Sequence, residues 1–240
     1  MIETNSGLIL GADTTNLITI SPPDAQIGPV ILPEGVYGHC AVLVDDVIYL
    51  TGGYWMESTK SDKVLSITID NGEMRDLPNL KFDRIHHGCA SFANENKKFI
   101  VVAGANKEFT NYLSASKTTE IFDINQNVWS EGPSLPASCE YAKMITSPRG
   151  DGAIFIGSSC ITVSDEFNDN VIYQMTPLSN GTIIWTTVNH KLKYRRKLPV
   201  IDYIDESKVN CYLKPSTTTT ATTNTTSTPM TTTINPRIGN

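Results

Sequence analysis

Residues 47–53 read VIYLTGG, an apolar run that ends in a threonine and two glycines. The pattern returns as FIVVAGA at 99–105 and AIFIGSS at 153–159, and a weaker copy, GLILGAD, lies at 7–13. The glycines that mark the ends of the three strong copies are 52 and 53 residues apart: Gly52, Gly104 and Gly157. A regular spacing of this length is typical of repeat architectures, whose units cannot bury their apolar faces alone.

Each repeat contains four predicted strands and no helical pattern. Two short apolar runs flank a polar turn before the marker glycine, for example HCAVLV and VIYL around Asp45 and Asp46. After the glycine come a polar loop, a third run such as TTEIFDI, and a last strand near Met74, Trp129 or Trp185. Four short strands every 40 to 50 residues or so predict the blades of an all-β propeller.

The chain resembles the kelch-repeat family of β-propellers. The resemblance rests on the apolar run ending in Gly52 and Gly53, and on TTEIFDINQNVWSEGPSLP at 118–136. Within that stretch Phe122 precedes Trp129 by seven residues, as an aromatic residue precedes a tryptophan in the family. The third repeat departs, because no aromatic residue lies seven before Trp185. The resemblance spans residues 7–213 and implies a kelch-like propeller of four-stranded blades.

Three full blades are predicted at 37–193, between a partial blade at 1–36 and a second partial blade at 194–213. If the two partial blades merge, they close a ring of about four blades. The alternative is an incomplete propeller, a fragment whose open blade edges promote self-association. Residues 214–240 form a Thr-rich tail with little to bury, which we expect to be disordered.

The marker glycines are predicted to serve packing. Inner strands crowd around a propeller axis, and Gly52, Gly53, Gly104 and Gly157 let neighbouring backbones approach closely. The rings of Phe122, Trp129 and Trp185 are expected to lie buried between blades, each removing about 150–250 Å² from water.

Composition argues against several functions. The net charge of −6 and pI of 5.2 leave no basic footprint for nucleic acid. No apolar run reaches the roughly 18–20 residues of a membrane span, and the first ten residues do not resemble a signal peptide. This leaves a cytosolic chain, or one whose true N-terminus lies upstream.

No catalytic, cofactor-binding or metal-binding residue is predicted. The histidines lack zinc-ligand spacing and belong to no known nucleophile motif: His39, His86, His87 and His190. His39 and His87, at near-equivalent repeat positions, are interpreted as structural. The favoured function is therefore binding of another protein by the loops. The resemblance also implies an alternative, a galactose-oxidase-like or sialic-acid-directed enzyme or a carbohydrate-binding protein.

Two surface segments are candidates for partner contact. Arg149, Gly150 and Asp151 form an RGD sequence at a predicted hairpin tip, where an integrin could bind it, although a tight turn also favours such residues. The basic stretch KLKYRRK at 191–197 could meet an acidic partner, or it could be a solvated connection between blades.

The five cysteines bear on the compartment. Cys139 and Cys160 are equidistant from the centre of the third hairpin, so they should lie opposite each other and form a disulfide if the protein is secreted. Cys40 and Cys89 are expected to be free thiols, and Cys211 to be unpaired or bonded outside the chain. With N-glycosylation sequons at Asn180 and Asn224 and the Thr-rich tail, these features favour an extracellular protein, with a cytoplasmic one as the alternative.

Overall fold

The computed structural model of the chain is all-β. It describes residues 8–10, 16–21, 24–32, 35–56, 61–107, 113–114, 116–157, 159–161, 167–168, 171–178 and 181–189. Within these ranges there is no helix, and hence none long and apolar enough to cross a membrane. Contacts divide the chain into Met1–Tyr203 and Ile204–Asn240, and every described residue lies in the first unit.

Three four-stranded antiparallel sheets, here called blades I, II and III, follow one another along the chain with their strands in sequence order. Blade I contains β5 (Cys40–Val44), β6 (Val47–Thr51), β8 (Val64–Thr68) and β9 (Met74–Leu77). Blade II contains β10 (Gly88–Asn94), β11 (Lys97–Ala103), β14 (Thr119–Asp123) and β15 (Val128–Glu131). Blade III contains β17 (Lys143–Thr146), β18 (Ala153–Ile156), β21 (Ile172–Pro177) and β22 (Ile183–Thr187). The predicted four-strand blade is confirmed in all three repeats.

Smaller antiparallel sheets accompany the blades. Before blade I lies a sheet of β1 (Leu8–Leu10), β2 (Asn16–Ser21) and β3 (Asp24–Ile31). Two-stranded sheets pair β4 (Val36–Tyr37) with β7 (Tyr54–Trp55), and β12 (Asn106–Lys107) with β13 (Leu113–Ser114). A last sheet joins β16 (Ser138–Glu140), β19 (Ser159–Ile161) and β20 (Phe167–Asn168). The predicted domain boundaries stay predictions, because residues 190–240 lie outside the described part of the chain.

The hairpin register makes the blades comparable residue by residue. Directly before each marker glycine, Thr51 lies opposite Cys40, Ala103 opposite Gly88, and Ile156 opposite Lys143. Cys40, Gly88 and Lys143 are therefore equivalent residues at the start of the three first strands.

Each blade has two ends because its strands alternate in direction. The first strands of neighbouring blades lie next to each other, because β10 contacts both β5 and β17. The hairpin turns at 45–46, 95–96 and 147–152 lie at what we call the turn end. The long connections lie at the opposite, loop end, and their described parts include residues 52–56, 61–63, 78–87, 104–107, 113–114, 116–118 and 132–142.

The core lies between the blades, as the aromatic pattern predicts. Phe122 is 1% exposed and packs with Tyr49 and Ile100 between blades I and II. Trp185 is also buried, and its indole N–H donates to Thr119 Oγ1 of blade II at 3.1 Å. Trp129 differs, since its ring is only partly buried, 5.0 Å from the Phe122 ring, and its N–H donates to the Pro78 carbonyl at 2.8 Å.

The structure joins Cys40 of blade I to Cys89 of blade II by a disulfide, so the expectation of free thiols is wrong. The hairpin register explains the error. Cys89 is equivalent to Ala41, one residue beyond Cys40, and successive residues of a strand point to opposite faces. The two cysteines therefore point to facing sides of neighbouring blades, whereas equivalent positions would point the same way and could not meet.

Candidate functional site: the loop end of the blades

Backbone hydrogen bonds join each blade to the next at the loop end. The N–H of Gly53 donates to the Arg84 carbonyl at 2.8 Å, and the N–H of Ala105, the equivalent residue, donates to the Cys139 carbonyl at the same distance. The close approach requires glycine beside it, because Gly52 has a φ of 58° and an added Cβ would lie 2.6 Å from the Arg84 oxygen. The contact between Gly52 and the Arg84 carbonyl is the close backbone approach for which this glycine is needed.

Three different residue types occupy one equivalent position beside these hydrogen bonds, four residues before the start of each first strand. Val36 in β4 lies opposite Trp55, and both side chains are buried. The equivalent residue before blade II is Arg84, which forms an ion pair, and the equivalent residue before blade III is Cys139, which forms a disulfide with Cys160. The predicted Cys139–Cys160 pair is present, and the two residues lie directly opposite in the register of β16 and β19.

Arg84 is fully buried and anchors the connection between blades I and II. Its Nε donates to Glu120 Oε1 at 2.9 Å, one terminal nitrogen to the Gly104 carbonyl at 2.6 Å and the other to Thr118 Oγ1 at 2.9 Å. Glu120 is 1% exposed and also accepts the backbone N–H of Lys81. Burial lowers the pKa of Arg84, and the Glu120 carboxylate opposes that shift. The arrangement fixes the connection to blade II.

Two histidines stand directly before the first strands. His87 is 2% exposed, its Nε2 lies 2.8 Å from Thr51 Oγ1, and burial holds its pKa well below the ordinary value. His39, at the equivalent position of blade I, has its pKa lowered to about 4, mainly by burial. Both therefore stay neutral near pH 7, which suits a structural role.

The residues directly before His39, His87 and the equivalent Ala142 are Gly38, His86 and Tyr141. We call these three residues the inner ring. All three have left-handed backbone, with φ of 66°, 57° and 50°. The His86 N–H donates to the Gly38 carbonyl, and the N–H of Ala142 donates to the His86 carbonyl. The His86 and Tyr141 rings lie 5.0 Å apart. Non-glycine residues adopt this backbone conformation uncommonly. Nevertheless, two of the three blades carry an aromatic ring at the position where the first blade has glycine.

More aromatic and cationic side chains border the inner ring. Tyr37 is 40% exposed, and its ring lies 5.0 Å from that of Tyr54. Lys143, the first residue of β17, is partly buried, which lowers its pKa, and its charge lowers the pKa values of His39, His86 and His87. The loop end thus combines half-exposed rings with a lysine.

Comparison with known proteins adds weak sequence likeness and clear structural likeness. No protein-family model matches the chain. It is 25% identical to Kelch-like protein 40 of Xenopus laevis over 58% of the chain and 21% of that protein, and 24% identical to Spermatocyte protein spe-26 of Caenorhabditis elegans over 66% of the chain and 26% of that protein. The solved structure of YjhT matches 72% of the chain and 52% of its own length, at 12% identity and a TM-score of 0.58. The chain has the fold of a kelch-like β-propeller.

The chain spans about a quarter of the length of these two curated relatives. Its described blades therefore correspond to a part of such proteins. The sequence likeness does not assign the activities of those longer proteins to this chain. The likeness to YjhT concerns the fold alone.

The remaining predicted sites of this chain lie elsewhere. Arg149 and Asp151 lie at the turn end, where their side chains pair at 3.2 Å and Ser147 Oγ donates to Asp151. Partner binding by this RGD turn stays a prediction. Asn180, Asn224, His190, Cys211 and the basic stretch at 191–197 lie outside the described residues. Among the described residues no group of three His, Cys, Asp or Glu side chains could hold a metal ion.

One cleft lies between the outer parts of blades I and II, away from the inner ring. Its volume is about 220 Å³, and its lining includes Tyr49, Leu77, Phe122 and Arg75. Small-molecule pockets usually measure about 300–1,000 Å³. The loop end, with its exposed rings, is the stronger candidate surface.

Sequence reasoning missed both Arg84–Glu120 and the inner ring. One signal was available, since Gly38, His86 and Tyr141 become equivalent once the hairpins are aligned. A glycine at one of three equivalent positions indicates a backbone conformation that the other two must share.

Proposed function

We propose that this chain is a protein-binding module that acts in an oxidising compartment and uses the loop end as its binding surface. Kelch propellers are typically interaction modules, and loops on a rigid scaffold commonly carry function. The observation that carries the proposal is the inner ring: His86 and Tyr141 keep strained backbone and half-exposed rings at positions where glycine would satisfy the fold.

The ring can be tested by variants that keep its backbone. His86→Gly and Tyr141→Gly remove the rings but suit the left-handed conformation, so stability should change by no more than about 1 kcal/mol. Proximity labelling on cultured cells with the wild-type chain should identify surface proteins that both variants fail to label. Lys98→Ala, at the turn end, is the matched control and should label them normally. Equal labelling by all four proteins would contradict the proposal.

The oxidising compartment is proposed from two disulfides in one small chain. In protein made through a secretory pathway, Cys40, Cys89, Cys139 and Cys160 should resist alkylation and appear as two linked peptide pairs. Cys211, expected to be unpaired or bonded outside the chain, should appear in neither linked pair. Alkylation of all four cysteines would remove the argument for this compartment.

The neutral histidines predict acid-sensitive stability. Their pKa values are depressed in the folded chain, so unfolding takes up protons below pH 6.5. Stability should be complete above pH 6.5 and should fall by up to about 1.4 kcal/mol per pH unit for each of His39 and His87 as pH decreases towards 4. Urea denaturation at several pH values measures this slope. His87→Gln, which can still bond to Thr51, should reduce the slope between pH 6 and 5 by the share of one histidine, and an unchanged slope would refute the assignment.

A further inference from the structure

We infer that the hairpin turn of blade III is a second binding site, for a receptor that carries a bound divalent cation beside an acidic group. The turn, residues 147–152, contains the RGD sequence and lies at the turn end, opposite the surface proposed above. The inference goes beyond the proposed function and shares with it only the oxidising compartment that two disulfides favour.

The length of this turn is not required by the blade. The equivalent hairpins of blades I and II close with two residues each, 45–46 and 95–96. In blade III the last pair of the hairpin is Thr146 with Ala153, so six residues lie between the strands. Because two residues are enough to close a blade hairpin, the additional residues of the third turn are available for another role.

Backbone hydrogen bonds hold the turn in one conformation. The N–H of Ser147 donates to the Gly152 carbonyl and the N–H of Gly150 donates to the Ser147 carbonyl, both at 2.8 Å. The Gly150 carbonyl also accepts the N–H of Ala93 at 2.7 Å, which ties the turn to blade II. A segment fixed in this way has little conformational entropy to lose when a partner binds it.

The tip of the turn is open to a partner. The side chain of Arg149 is 70% exposed and that of Asp151 is 42% exposed. Gly150, between them, has a φ of 75°, and no atom of the described residues lies within 4 Å of the position that a Cβ would occupy. A partner can therefore approach both charged side chains and the backbone that joins them.

The two carboxylate oxygens of Asp151 have different partners. Ser147 Oγ donates to Oδ1 at 2.8 Å, and Arg149 Nε lies 3.2 Å from Oδ2. The ion pair with Arg149 is exposed, and exposed pairs contribute little, so it can be exchanged. Divalent cations such as Mg²⁺ prefer carboxylate oxygen ligands. A cation on the receptor can therefore replace Arg149 at Oδ2 while Ser147 keeps the carboxylate oriented.

The same exchange releases Arg149 for a carboxylate of the receptor. A guanidinium binds a carboxylate through two parallel hydrogen bonds, which a lysine cannot reproduce. The complementary surface thus has an open coordination position on its cation and an acidic pocket next to it. We assign this turn to a receptor of the integrin type, whose ligands carry the RGD sequence.

The test uses the full disulfide-bonded chain and a purified RGD-binding integrin ectodomain in the presence of Mn²⁺. The wild-type chain should bind, and EDTA or a short linear RGD peptide should abolish the binding. Asp151→Asn, which can still accept the bond from Ser147, should weaken binding roughly 100-fold because the charge at the cation is lost. Arg149→Lys should weaken it roughly 10-fold. Asp45→Asn, the same change at the equivalent turn of blade I, should have no effect.

The outcomes separate this inference from the proposed function. Absence of binding by the wild-type chain, or binding that survives EDTA or Asp151→Asn, would overturn the inference and leave the loop-end surface in place. His86→Gly and Tyr141→Gly, at the loop end, should bind the integrin as the wild-type chain does. Loss of binding in these two variants would place the integrin contact at the loop end and would also overturn the inference. Thermal unfolding of each variant shows that lost binding does not come from lost folding.

Discussion

Replacing Arg84 with methionine is expected to destabilise the chain by about 3–5 kcal/mol. The guanidinium is fully buried, and its loss leaves the Glu120 carboxylate buried with only the Lys81 N–H described as a partner. It also removes the donors to the Gly104 carbonyl and to Thr118. Chemical denaturation monitored by tryptophan fluorescence measures the change.

A second substitution distinguishes the ion pair from simple loss of packing. Combining Arg84→Met with Glu120→Gln removes the unpaired charge, so the double variant should be more stable than Arg84→Met alone. Arg75→Met provides the control, because Arg75 pairs with Glu73 on the surface and exposed pairs contribute little. If the double variant is as unstable as the sum of the two single variants, the pair is not energetically coupled.

Replacing Phe122 with alanine should cost a similar amount, about 3–5 kcal/mol, through the cavity left between blades I and II. The ring is 1% exposed and contacts side chains from both blades. Trp129→Ala is the matched comparison. The sequence assigns both rings to the blade interface, but the structure leaves Trp129 partly exposed, so its loss should cost less. Equal effects on the unfolding midpoint would show that exposure does not decide the cost at this interface.

The features that could be predicted from the sequence are those that depend on the geometry of a single hairpin. The register of the third hairpin follows from its own turn, and it correctly placed Cys139 opposite Cys160. Cys40 and Cys89 lie in different blades, so their pairing depends on which faces of those blades oppose each other. No hairpin pattern contains that information.

The same limit applies to the candidate site. Arg84 and Glu120 are 36 residues apart and meet because the connection folds back onto blade II. The left-handed backbone of His86 and Tyr141 could not be read from residue type, since non-glycine residues adopt this conformation in only a few per cent of cases. Only the equivalence with Gly38 could have indicated the ring, and that equivalence requires a correct alignment of all three hairpins.

The three chemistries at the Val36, Arg84 and Cys139 positions have a consequence for how the chain folds. Repeats of similar shape can assemble in the wrong order, and such misassembly is a characteristic failure of repeat proteins. An arginine that needs Glu120, a cysteine that needs Cys160 and a valine that needs Trp55 cannot exchange partners without leaving a buried charge or a free thiol. Each repeat therefore has a residue that fits only its own partner. A misordered folding intermediate should be less stable than the correctly ordered one, and it should rearrange rather than persist.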